Sequence, residues 1–208
     1  MPDSRDILLL YAREGDYGQE VVDALKDLIV EATGAKVYDL YSPSVVAALG
    51  AAPGAWVRGA VGGARVLLLQ APALHALHAL HHTTGGLTLG GSRAMYRAPA
   101  PGDDLLGVAL RLIADSPHSH HHYHKYYLAT VAGLETDIMP SVVPYRRYVL
   151  PDAARALLAD LGGAGVAGGA DVSRGLGRLQ HAAAAMLQHA AAHPDYLHDE
   201  LILLHPDT

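Results

Sequence analysis

No cysteine occurs in the 208 residues, which excludes disulfides, thiolate zinc sites and cysteine nucleophiles. That absence fits a reducing compartment. Phe and Asn are missing too, and the eleven Tyr argue against GC-rich coding as the full cause. No apolar run approaches the roughly 20 residues that cross a bilayer, and the first of them, starting at Ile7, is broken by Arg13 and Glu14. The charged start Met1-Pro2-Asp3-Ser4-Arg5-Asp6 does not read as a signal peptide. Basic residues are in deficit: 15 Lys and Arg against 21 Asp and Glu give a formal net charge of −6. Phosphate recognition needs clustered cations, and Arg146-Arg147 is too short a patch, so the chain is not read as a nucleic-acid or membrane-surface binder.

What is present is apolar residue. Half of the chain is hydrophobic, enough to bury a full core and unlike a disordered segment. Ile7-Leu8-Leu9-Leu10-Tyr11, Arg65-Val66-Leu67-Leu68-Leu69-Gln70 and Tyr126-Tyr127-Leu128-Ala129-Thr130-Val131 are runs without alternation, the pattern of strands buried on both faces. Lys36 to Tyr41 and Tyr145 to Leu150 read as two further strands. Between them lie helical spacings. Val21, Leu25, Leu28, Ile29 and Ala32 follow an expected cap at Asp16, with Gln19 as capping-box partner, and Gly34 ends that helix. Trp56, Val57, Ala60, Val61 and Ala64 share one face of a helix from about Ala55, where Trp56 is expected to anchor the core. Asp103 is expected to cap a helix bearing Leu105, Leu106, Ala109, Leu112 and Ile113, and Pro151 to open one bearing Ala154, Leu157, Leu158 and Leu161. Ser42 to Gly54 reads as a loop, and Ala71 to Gly102 as irregular.

Strands alternating with helices predict an α/β fold: a flavodoxin-like open sheet of five parallel strands in order 2-1-3-4-5. Its expected extent is residues 1–161, followed by a Gly/Ala-rich connector at 162–172. A C-terminal helical extension, 173–208, is expected to pack back on the same domain, with Ser173 as cap and Leu176, Leu179, Ala183, Met186, Leu187 and Ala190 as its stripe.

Such sheets bind ligands beyond the carboxyl ends of their strands. Here the first turn is Tyr11-Ala12-Arg13-Glu14-Gly15-Asp16, and one glycine with two carboxylates does not cradle a phosphate, so no flavin or dinucleotide cofactor is expected. Gln70 stands where a phosphoacceptor aspartate would end the third strand. The nucleophile-elbow pattern Gly-x-Ser-x-Gly is missing. Histidine is abundant, with fourteen copies: His75, His78, His81 and His82 on one helical face, His118 to His124 crowded in a loop, and the pair His189 and His193. Imidazoles at such spacing bind transition metals, but no carboxylate cluster accompanies them, and a solvated, pH-responsive surface is the reading adopted; no metal site is assigned.

The order of segments resembles the SEFIR domains of the interleukin-17 receptor family. Asp6 to Tyr11 resembles their opening strand, Gly34 to Tyr41 the second, Gly50 to Val57 the glycine-to-tryptophan segment, and Val66 to Leu69 the third. Lys125 to Val131 and Val142 to Leu150 resemble the fourth and fifth strands, and His193-Pro194-Asp195-Tyr196 a receptor-type ending. Gln70-Ala71-Pro72 departs from the Ser common after the third strand. The resemblance implies a non-catalytic receptor domain on the cytoplasmic side of the plasma membrane, its transmembrane span lying outside this chain. It implies recruitment of a SEFIR-containing adaptor by like-with-like contact, leading to inflammatory signalling. The partner surfaces it suggests are Ser42, Pro43, Val45, Val46, Leu49, Gly50 and Pro53 in the first loop, and Asp103, Asp104 and Arg111 on the later helix. The rival reading comes from the related TIR domains, some of which cleave NAD with a glutamate after the third strand. No Glu occurs between Gln70 and Gly133, which weighs against it.

Overall fold

The computed structural model describes residues 4–50, 52–82, 93–115, 123–136, 146–162 and 169–204. Strands β1 (Ile7–Leu10), β2 (Val37–Asp39), β3 (Arg65–Gln70), β5 (Tyr126–Val131) and β6 (Arg146–Leu150) form one sheet in the order β2-β1-β3-β5-β6. All four pairings are parallel. This is the flavodoxin-like order. Successive side chains of a strand point to opposite faces, so each run feeds two cores. Leu8, Leu10, Val66, Leu68 and Leu128 face one side, and Ile7, Leu9, Leu67, Leu69 and Ala129 the other.

The first face is covered by helices α2 (Pro43–Leu49), α3 (Pro53–Gly63), α4 (Pro72–His82) and α5 (Pro101–Ala114). The second carries α1 (Gly15–Thr33), α6 (Ala154–Gly162) and α7 (Ala170–Ala192). The expected stripe of α1 is buried in full, and Gly34 closes the helix at φ 66°, the left-handed cap that glycine adopts without a Cβ penalty. α7 lies along α1 and buries Val172, Leu179, Ala182, Ala183 and Met186.

Several local expectations are corrected. Ser42–Gly54 is mostly helical: Ser42 Oγ accepts the Val45 N–H and Pro43 takes the first turn, so the supposed loop signal is an N-cap. β2 stops at Asp39 because Asp39 Oδ1 accepts the Tyr41 N–H at 2.9 Å, closing a turn. α1 begins at Gly15; Gln19 donates to Asp23 rather than closing a capping box on Asp16. α6 begins at Ala154, after a turn that includes Pro151. α7 starts at Ala170, ahead of Ser173, whose N–H bonds to Gly169 O. Leu187 is 38% exposed, off the buried stripe.

The irregular region holds α4 and a strand, β4 (Arg93–Tyr96). After α7, a short helix α8 (Leu197–Glu200) leads to β7 (Leu201–Leu204), which pairs antiparallel with β4 in a separate two-stranded sheet. Of the expected segments, Tyr145, His118 to His122 and most of the connector lie outside the described residues. No helix among the described residues is long and apolar enough to cross a membrane.

Candidate functional site

The carboxyl ends of β1, β2 and β3 meet where the strand order reverses, and polar side chains gather there. On the β2 side, Tyr11 OH donates to Asp39 Oδ1 at 3.1 Å, and Lys26 Nζ lies 3.4 Å from Asp39 Oδ2. Burial, reinforced by the Asp39 charge, holds the Tyr11 hydroxyl above the ordinary tyrosine range.

Arg13, one turn further on, reaches across to α5. Its Nε and Nη2 donate to the two Asp103 oxygens at 3.3 and 3.0 Å, and Nη2 also donates to Ala98 O at 2.7 Å. Its guanidinium stacks 4.3 Å from the Tyr96 ring centroid, and Glu200 lies 3.5 Å from Nη1. Burial works against the Arg13 charge, but the bonds and charge of Asp103 outweigh it and raise the group above its usual value. Burial likewise pushes the Tyr96 hydroxyl up to about 12. Asp103 itself sits at the third position of α5 and accepts the Ala100 N–H at 2.6 Å, so it does help cap the helix. The close approach of α5 to β2 needs Gly102, where a Cβ would meet Tyr41 Cδ1 at 2.6 Å.

Glu14 is the component not singled out from the sequence. It is 6% exposed, between β1 and the first turn of α4. Its Oε1 accepts both the Ala73 N–H at 3.2 Å and the Tyr196 hydroxyl at 2.6 Å. Burial raises its pKa to about 7, and the two bonds only partly offset that. A glutamate four residues past the end of a fully buried strand was the only local signal. The void beside it, lined by Tyr11, Gly18, Leu69, Val131 and Met186, measures about 10 Å³, room for no more than one water. At β3, the buried Gln70 amide donates to Thr136 Oγ1 at 2.7 Å.

No family model matches the sequence, and no curated protein matches it. Among solved structures, the chain is similar to the SEFIR domain of interleukin-17 receptor B: TM-score 0.44, 19% identity, covering 75% of this chain and 93% of that one. It is also similar to a diflavin flavoprotein A3 from Nostoc sp.: TM-score 0.36, 14% identity, covering 87% and 98%. At these scores the likenesses add nothing to what the strand order states.

The suggested partner residues fall into two groups. Val45 is 4% exposed and belongs to the core between α2 and the sheet, so it does not face a partner; this is a correction, with helix formation from Ser42 as its cause. Val46 is half-buried, while Pro43, Gly50 and Pro53 are exposed; Ser42 is spent on its cap and Leu49 ends the helix. Asp103 is committed to Arg13, with its side chain 10% exposed. Asp104 and Arg111 are exposed, seven residues apart and thus near one another on the outer side of α5. Trp56 is half-buried, packed on the core and edge-on to Tyr38 at 5.7 Å. Of the histidines, His75 is half-buried, His189 stacks on Tyr17, and no group of three His, Cys, Asp or Glu fit to hold a metal occurs among the described residues.

Proposed function

We propose that the chain is a non-catalytic, SEFIR-like signalling domain that recruits a SEFIR-containing adaptor through its helical surface. In this reading it works on the cytoplasmic side of the plasma membrane as part of an interleukin-17-receptor-like protein. The observation that carries it is that Glu14 and Arg13, just past β1, are bonded to other parts of the same chain. Where flavodoxin-like sheets seat a ligand, Glu14 accepts from Ala73 and Tyr196, the Arg13 side chain donates to Asp103, and the Arg13 N–H donates to the Tyr96 hydroxyl. The void beside Glu14 is about 10 Å³, and a larger cavity of about 430 Å³ is lined by Tyr96, Asp103, Asp104 and Arg111, towards the proposed α5 surface. The segment order that resembles SEFIR domains supports the same reading.

The binding surface in this reading is the α2–α3 junction with the exposed face of α5. A pull-down against a SEFIR adaptor tests it, with NAD turnover assayed on the same sample. The expected result is capture without turnover. Reversing the exposed charges together, Asp104→Lys with Arg111→Glu, should weaken capture by about tenfold or more while leaving the melting temperature unchanged. Capture indifferent to both reversals would remove α5 from the surface, and NAD turnover would overturn the reading.

A further inference from the structure

Past α7 the chain turns at Pro194 and crosses the carboxyl ends of the central strands. Tyr196 sits on Glu14, Glu200 lies 3.5 Å from Arg13, and the Arg97 side chain donates to His198 O. Among the described residues β7 then pairs with β4 alone, and a two-stranded ribbon by itself is marginally stable. Leu201 is fully buried, but this attachment is slight beside that of the five-stranded sheet, so the segment is expected to open ahead of global unfolding.

Two carboxylates are buried among the described residues. Asp39 has Lys26 at 3.4 Å; Glu14 has only neutral donors. Both of those donors bond to Oε1, an arrangement that suits a carboxylic acid carrying its proton on Oε2. We infer that Tyr196–Leu204 is a proton-gated strap, closed over Glu14 when that carboxyl is protonated and lifted when it ionises.

The physical reason is desolvation. With the strap down, an ionised Glu14 has no cation beside it and little room for water; with it lifted, water replaces the Tyr196 ring. The titratable groups around Glu14 and Tyr196 are Tyr11 just past β1, Tyr17 on α1, His189 on α7 and His193 at its end. α4 contributes the Ala73 N–H, and the adjacent Arg13 is turned away to Asp103 and Glu200. Burial sets the Glu14 pKa near 7, against the 4.5 of an exposed glutamate. Were the strap the whole cause, its opening equilibrium would change by up to roughly 300-fold between the acid and alkaline plateaus.

Hydrogen exchange on the full chain, corrected for intrinsic rates and followed from about pH 5.5 to about pH 8.5, reads this directly. Protection at 94–97 and 196–204 should fall with rising pH while β1 and β3 stay protected. In Glu14→Gln the strap should remain protected throughout. In Tyr196→Ala it should be unprotected at both ends of the range, with the core unchanged. Three results overturn the inference: strap protection indifferent to pH, loss in step with the core, or the wild-type pH dependence persisting in Glu14→Gln. The last would assign the effect to His189 and His193. None of these outcomes depends on which partner the domain binds.

Discussion

At Gly102 the fold depends on the lack of a side chain. A Cβ there would sit 2.6 Å from Tyr41 Cδ1 and 3.0 Å from Leu40 O, and the half-buried Tyr41 ring has the Arg13 guanidinium 6.0 Å over it, so relief requires several groups to shift. Gly102→Ala is therefore expected to destabilise by about 1–3 kcal/mol despite the better helix propensity of alanine. Urea unfolding checks it; an unchanged midpoint would mean that α5 shifts at little cost. Arg13 illustrates a different residue-scale effect. Its planar fork matches Asp103 with two bonds, and the same group reaches Ala98 O and Tyr96, so one side chain ties β1, β4 and α5 together.

The C-terminal helix is part of the core at the scale of elements. α7 inserts Leu179, 0% exposed, and Met186, 2% exposed, against the stripe of α1. Gly175 permits the approach, since a Cβ would stand 2.9 Å from Leu28 Cδ1. Outside this seam, Arg178 bridges to Asp27 and Glu31, exposed pairs that add little. Leu179→Asp places an unpaired carboxylate in the seam and should cost on the order of 3 kcal/mol or more. Calorimetry of this variant should show a lowered transition; a melting curve like the wild type would mean that α7 is an appendage.

Over the whole molecule, Glu14 gives stability a pH dependence of defined sign. Its folded pKa, about 7, lies above the 4.5 of the exposed group, so the folded state binds the proton more tightly. Its contribution is full below about pH 4.5, falls as pH rises, and is spent once pH has passed about 7. The loss is at most about 3 kcal/mol, and lifting the strap reduces it by hydrating the carboxylate. Denaturant titrations of wild type and Glu14→Gln across that range should diverge in this sense; parallel curves would show that Glu14 ionises without penalty. The proposed adaptor surface lies elsewhere, on exposed α5, so charge reversal there should separate binding from stability.

The sheet was legible because its signals are local. Unbroken apolar runs such as Ile7 to Leu10 and Val66 to Leu69 need burial on both faces, and helices between them favour parallel pairing in one of a few orders, of which the expected one is observed. The stripe of α1 and its cap at Gly34 follow from spacing and from one residue's backbone freedom. Misreadings arose where a residue serves two ends. Ser42-Pro43 marks a loop and a helix start equally well, and Val45 lacked a visible stripe because α2 is only two turns long. Asp103 was legible as a cap, yet its partner Arg13 lies 90 residues away. Only the tertiary structure decided that Tyr196 meets Glu14 and that β7 pairs with β4. Hydrophobic period is written in consecutive residues; the desolvation of Glu14 by a tyrosine 182 positions away exists only once the chain has folded.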